Sequence, residues 1–87
     1  MRKIWYDKAW DDYLYWQTQD KKTLKRINKL IRDIERGDNK GIGKPEILSG
    51  DLAGFCNKAI DDSNRVVYRI KDGRLEIAQC KGHYNDR

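Results

Sequence analysis

The sequence predicts an α+β fold in which two helices pack on one face of a small antiparallel sheet, in the order β-α-α-β-β-β. Three observations carry this. Aliphatic residues recur at helical spacing between Leu24 and Ile34, and three β-prone runs over residues 55–60, 65–70 and 74–81 are separated by turn signals. The length of 87 residues leaves room for a single domain, residues 1–87.

Residues 2–6 alternate, with Ile4 and Tyr6 on one side and Trp5 on the other, and read as a short first strand. Asp7 is expected to cap a helix running from residue 8 to about residue 19, with Ala9, Trp10, Tyr13, Leu14 and Trp16 as its apolar set. Asp7, Asp11 and Asp12 suit the positive end of that helix. Asp20 is expected to cap a second helix ending near Arg36, with Leu24, Ile27, Leu30, Ile31 and Ile34 turned inward and Gly37 as the stop. The other faces of this helix carry Lys21, Lys22, Lys25, Arg26, Lys29, Arg32 and Arg36 against Asp33 and Glu35. Such a surface suits a polyanion, or is simply a solvated helix face.

Residues 38–50 are rich in Gly, contain Asn39 and the single proline, and read as a loop. Within Gly41-Ile42-Gly43-Lys44-Pro45-Glu46, Pro45 restricts Lys44 to extended conformations, so Glu46 leaves a stiffened turn. That suits a positioned carboxylate, although an isolated motif of this kind is also what an ordinary surface glutamate looks like. The glycine spacing fits neither common phosphate-binding loop. Asp61-Asp62-Ser63-Asn64 and Asp72-Gly73 join the three later strands into a meander. In the middle strand Val66, Tyr68 and Ile70 face one way, and Arg65, Val67 and Arg69 the other. One face should therefore seek the helices while the other shows cations.

Apolar and charged residues each make up 38% of the chain, so the core should be thin and the three tryptophans and five tyrosines should supply much of it. The net charge of +5 favours an anionic partner: nucleic acid, a membrane surface or an acidic protein. The apolar runs are too short to span a bilayer and there is no signal-peptide pattern, so the expected location is cytoplasmic. Cys56 and Cys80 read as small buried side chains in a reducing compartment. Cys80-x-x-His83 offers two metal ligands of the four that a structural site needs, so neither metal nor other cofactor is expected.

The only histidine, His83, lies beside Tyr84 near the C-terminus. An imidazole is the side chain best suited to proton transfer near neutral pH. A frayed, exposed tail is the plain alternative. If Glu46, Arg65, His83 and Tyr84 converge on the sheet face away from the helices, they match RNA cleavage without a metal. That reaction needs a base for the ribose 2′-proton, a cation for the crowded phosphate and an acid for the leaving 5′-oxygen. Arg69 and Lys81 would add to the phosphate-facing field, or are ordinary strand-surface cations.

Several stretches together resemble the YoeB/Txe toxins of the RelE-like superfamily. They are Trp10-Asp11-Asp12-Tyr13-Leu14-Tyr15-Trp16, Lys25-Arg26-Ile27-Asn28-Lys29-Leu30-Ile31, Gly43-Lys44-Pro45-Glu46, Asp51-Leu52-Ala53-Gly54, Arg65-Val66-Val67-Tyr68 and His83-Tyr84. The resemblance runs in register through nearly the whole chain. It implies a toxin of a type II toxin–antitoxin system, a ribosome-dependent mRNA interferase that cuts message in the A site and halts translation. By the resemblance Glu46 is the general base, Arg65 the phosphate-stabilising cation, His83 the general acid and Tyr84 a residue that orients the RNA, with Lys44 and Lys58 also on the RNA phosphates. The implied partners are mRNA and the ribosome, a YefM/Axe-like antitoxin with an acidic C-terminal segment, and a second copy in a homodimer.

Departures from the family pattern point to a rival reading. After Phe55 the family typically has Trp-Ser-Arg-Arg-Ile, where this chain has Cys56-Asn57-Lys58-Ala59-Ile60. Ala59 thus stands where an arginine is usual, Ser49 where lysine is common, and Gly82 where an aromatic often precedes His-Tyr. The rival is a homologue of the same fold that binds RNA, ribosome or antitoxin but cuts weakly. A third reading, a ParE-like toxin acting on DNA gyrase, has no use for Glu46, Arg65 and His83.

Overall fold

The computed structural model describes residues 1–37 and 46–83, with backbone alone at residues 46, 47 and 51. In chain order the elements are β1 (Arg2–Trp5), α1 (Asp7–Gln19), α2 (Lys21–Glu35), β2 (Glu46–Ile47), a 3-10 turn (Gly50–Leu52), β3 (Cys56–Ala59), β4 (Arg65–Lys71) and β5 (Arg74–Gln79). They form the α+β architecture expected, with one strand more than the sequence announced: the two-residue β2. The sheet order is β1-β5-β4-β3-β2. Strands β2 to β5 are antiparallel neighbours, while β1 pairs parallel with β5.

Helix α2 forms where the aliphatic stripe predicts it, burying Ile27, Leu30, Ile31 and Ile34. Asp20 is its N-cap and accepts from the backbone of Lys22 and Thr23 at 3.1 and 3.2 Å and from the Thr23 hydroxyl at 2.8 Å. The hydroxyl contact, followed by the Thr23 amide, holds the Asp20 carboxyl below its ordinary pKa. Gly37, at φ +71, ends the helix in the left-handed conformation that glycine adopts without strain.

Helix α1 departs from the sequence reading in two ways. Tyr6, not Asp7, occupies the N-cap, without a side-chain cap bond, and Asp7 is the acidic residue of the first turn. The inward face is Ala9, Asp12 and Trp16, whereas Trp10 and Leu14 are exposed. Of the eight Trp and Tyr residues, only Trp16 and Tyr68 are buried among those described. The main core is aliphatic instead, with Ile27, Leu30, Val66, Leu75 and Ile77 shut off from solvent between the helices and the sheet. Each such burial stabilises the fold by about 1.5–3 kcal/mol.

The Asp72-Gly73 turn has positive φ at both residues, 53° and 73°, which matches the twist of the β4–β5 hairpin. The far sheet face differs from the cationic surface expected. Leu48, Leu52, Phe55, Val67 and Ala78 make a second small core there, with Tyr6 packed against it. The segment from Leu48 to Phe55 folds back over this face, where the Phe55 carbonyl accepts from Leu48 N at 2.9 Å.

Candidate active site

Cross-strand register builds the site face. Residues directly opposite each other across neighbouring strands share a face, and Glu46, Asn57, Val67 and Gln79 form one row across β2, β3, β4 and β5. The next row holds Ala59 opposite Arg65. A bulge lets Gln79 join. Pairing jumps from Tyr68↔Ile77 to Val67↔Gln79, so Ala78 has no partner residue on β4. Strict alternation from Leu75 and Ile77 would have put Gln79 on the helix side.

Beyond β5 the chain leaves the ladder, and side chains together with the Arg65 backbone amide hold residues 80–83. Asp12 Oδ2 accepts from Cys80 N at 3.0 Å, and Trp16 Nε1 donates to the Cys80 carbonyl at 2.9 Å. Lys8 Nζ lies 3.0 Å from the Asp12 carboxylate, so the buried acid is compensated. The Cys80 thiol faces the Ala9 carbonyl at 3.6 Å, and burial, reinforced by Asp12, pushes its pKa up to about 12. It is an inert core thiol. Asn64 Oδ1 accepts from Gly82 N at 2.7 Å, and the Gly82 carbonyl accepts from Arg65 N at 3.0 Å. Gly82 adopts φ +80, which accounts for glycine at this position. Gln79 Nε2 donates to the Lys81 and His83 carbonyls at 3.3 and 3.0 Å. His83 is therefore tethered and half-buried. The frayed-tail alternative does not describe it.

Arg65 stands directly beside this tether. Its Nε is buried without a hydrogen-bond partner among the described residues. The same holds for both polar atoms of the Asn57 amide and for Gln79 Oε1. Unpartnered buried polar atoms cost about 1–3 kcal/mol each; four gather around this site, and a fifth, Arg74 Nε, lies at the start of β5. Arg69, on the same strand and face, is in a different state. Its Nε bonds Glu76 Oε1 at 2.7 Å, its guanidinium lies 4.8 Å from the Phe55 ring centre, and the Tyr6 hydroxyl donates to the same Glu76 oxygen at 2.6 Å. The Tyr6 hydroxyl, and then Arg69, hold the Glu76 carboxyl below its ordinary range.

The other expected site residues divide. Lys58 is buried and sits in register with Val66, a member of the helix-side core. The register therefore sets Lys58 on the face opposite to that of Arg65 and Asn57, since one position in a strand flips the face. Lys81 lies with Nζ 4.5 Å from the centre of the Tyr15 ring, towards α1. Glu46 occupies its row in β2, two strands or about 10 Å from β4. Lys44 and Tyr84 lie outside the described residues. On α2, Arg26 is committed to the Ile60 and Ala59 carbonyls and Arg36 to Asp33. Lys21, Lys22, Lys25, Lys29 and Arg32 remain exposed. A groove of about 590 Å³ between β1 and α2, lined by Trp5, Tyr13, Asn28 and Arg32 among others, contains none of the expected site residues.

Gln79, Asn64, Asn57, Tyr6 and Glu76 were not anticipated as site residues. Asn64 had a signal in its turn: Asp61 Oδ1 accepts from Ser63 N and Asn64 N at 2.8 Å each, which fixes Asn64 beside the tail. Gln79 had none, because a bulge leaves no mark in residue pattern.

Comparison with known proteins now bears on this geometry. The family model for the YoeB-like toxin of bacterial type II toxin–antitoxin systems matches residues 5–84. Toxin YoeB of Escherichia coli K12 is 48% identical over 84 residues, covering 97% of this chain and all of the relative. Toxin YoeB of Streptomyces coelicolor matches to the same extent. A solved YoeB/ParE toxin from Agrobacterium tumefaciens superposes with a TM-score of 0.91 at 43% identity, covering 97% of this chain and 100% of that one. The YoeB–YefM complex from Staphylococcus aureus gives 0.87 at 39% identity, covering 97% and 98%. The DinJ–YafQ structure from Escherichia coli, at 13% identity and a TM-score of 0.77, shares the fold alone. With a family model over residues 5–84 and relatives near half identity along their whole length, the chain belongs to the YoeB toxin family of type II toxin–antitoxin systems, with RelE-like structural relatives.

Proposed function

We propose that this toxin is a ribosome-dependent endoribonuclease that cleaves mRNA in the A site by acid–base catalysis without a metal. The observation that carries the reading is Arg65: a guanidinium whose buried Nε has no partner among the described residues, and whose own backbone amide holds the segment bearing the only histidine. In the reaction Glu46 takes the proton of a ribose 2′-hydroxyl, whose oxygen attacks the adjacent phosphorus. Arg65 stabilises the extra charge on the phosphate oxygens. The P–O5′ bond breaks, His83 protonates the leaving oxygen, and a 2′,3′-cyclic phosphate remains. Tyr84 orients the RNA and Lys44 adds a phosphate contact. The exposed lysines of α2 give the rest of the complex a polyanion-facing surface. Arg69 and Lys81 contribute to the field, Arg69 weakly because Glu76 neutralises it.

A YefM-like antitoxin and a second copy of the chain complete the set of partners. Relatives from Staphylococcus aureus were solved as a YoeB–YefM heterotetramer and as a YoeB dimer. Here Trp10 and Leu14 of α1 are exposed, with Trp10 packed on the Trp5–Tyr13 ring pair, an apolar surface suited to a second copy. No helix among the described residues is long and apolar enough to cross a membrane, and a ribosomal target puts the protein in the cytoplasm.

The test is a purified translation reaction on a defined message, with 5′ ends mapped after adding wild type or His83→Gln, with and without ribosomes. Cuts that require ribosomes and vanish in the variant are expected. Folded wild type that binds ribosomes at high excess yet makes no cuts would instead establish the weakened binding homologue, the reading favoured by Ala59 opposite Arg65. Growth arrest that survives His83→Gln would return attention to a gyrase-type target.

A further inference from the structure

We propose that Gln79 is a positioning residue for His83: the β5 bulge turns its buried carboxamide onto the site face, where its donor end fixes the backbone that presents the imidazole. The inference deepens the endoribonuclease reading and rests on it.

Three features carry the argument. The bulge is specific in what it changes, because it takes Gln79 off the face of Leu75 and Ile77 and sets it opposite Val67. Residues 80–83 have left the ladder, so their carbonyls need partners from elsewhere. Gln79 Nε2 supplies one to Lys81 and one to His83. With Asn64 on Gly82 N and Arg65 N on the Gly82 carbonyl, three successive residues are held at their backbones, on the row next to Arg65.

A residue kept only to fill space would not be a glutamine. Gln79 is fully buried and its Oε1 has no partner among the described residues, so an apolar side chain of similar size would spare the fold a desolvated acceptor. What the carboxamide adds over such a side chain is the pair of hydrogen bonds to the tail. An acid that must meet a leaving oxygen gains most from a fixed backbone, since misplacement of about 1 Å can lower rates ~100-fold.

The experiment compares wild type with Gln79→Met, which keeps length and volume without the donor, and Gln79→Glu, which keeps the shape but sets an acceptor against two carbonyl oxygens. For each, kcat and KM are measured on ribosome–message complexes, with thermal melting as the folding control. Because His83 is the only histidine, its imidazole gives one Hε1 resonance whose linewidth reports its mobility. We expect kcat to fall roughly 10–100-fold in Gln79→Met and further in Gln79→Glu, with KM within about threefold and a narrower His83 line. Wild-type kcat in both folded variants overturns the proposal, as does a loss of kcat that merely tracks the unfolded fraction. If wild type itself makes no cuts, the endoribonuclease reading has failed, and the clamp is judged by the imidazole line: the same width in wild type and Gln79→Met overturns it.

Discussion

Arg65 and Arg69 lie on one strand and one face, about 13 Å apart, and the sheet treats them in opposite ways. Around Arg69 the polar groups bind one another: Glu76 accepts from its Nε and from the Tyr6 hydroxyl, and Phe55 lies against the guanidinium. Around Arg65, by contrast, its own Nε, the Asn57 amide and Gln79 Oε1 are buried without partners among the described residues. An ion pair sits against the second small core at one end, while at the other the Arg65 Nε has no hydrogen-bond partner among the described residues. The same residue type is thus neutralised at one end of β4 and, at the other, is the cation we propose for the RNA phosphate.

The sharpest way to break this comparison is to exchange the losses. Arg65→Ala should lower ribosome-dependent cleavage by about 100- to 1000-fold with little change in melting temperature. Arg69→Ala should lower the melting temperature by roughly 5–10 °C, because Glu76 then keeps a buried carboxylate without its cation, while activity per folded molecule stays within about threefold of wild type. If the two variants behaved alike, the division of labour would be wrong. Message-cleavage assays and melting curves on both proteins decide it.

Ala59→Arg tests the unsatisfied end from the other direction. It adds a cation directly opposite Arg65, so RNA affinity should rise about tenfold and fall more steeply with added salt, at a cost in melting temperature from like charges. A salt titration of binding checks both signs. A smaller effect separates the ends by pH. The Tyr6 hydrogen bond, then Arg69, hold the Glu76 carboxyl below the ordinary glutamate value of 4.5. The stability it lends is therefore present above that value and is lost as pH falls through the lower folded-state pKa. Melting temperature should drop between about pH 5 and pH 3 in wild type and less in Glu76→Gln. Smallest is Phe55→Leu, which removes the ring under Arg69 and should lower the melting temperature by about 5 °C without altering cleavage.

The legible parts of the fold are those set by local chemistry. The α2 stripe, the Asp20 cap and the Asp72-Gly73 turn could each be read within a dozen residues. What escaped depends on pairing at long range. Parallel joining of β1 to β5, the β2 strand of two residues and the Leu48–Phe55 cover on the far face leave no local period. The helix-side position of Lys58 was not legible, because a four-residue strand offers too few positions to fix its faces without its partner's register. On α1 an aromatic helix face looked like core, whereas the inward positions carry Asp12, which is needed to receive Cys80 N. At the site, Arg65 was visible from strand alternation and His83 from its rarity, but the roles given to Glu46, Tyr84 and Lys44 came from family resemblance. The Gln79 clamp required the bulge to be seen.

The place of β5 in the sheet also governs when the molecule can exist. It follows every other element in the sequence, yet lies between β1 and β4 and contributes Leu75 and Ile77 to the middle of the main core. While the chain is being synthesised, β1 has nothing to pair with and Asp12 and Trp16 have no tail to grip until residues 74–80 emerge. Local elements gain only part of their burial before then. The topology thus acts as a timer, delaying a folded site until synthesis of β5 and the tail that follows it.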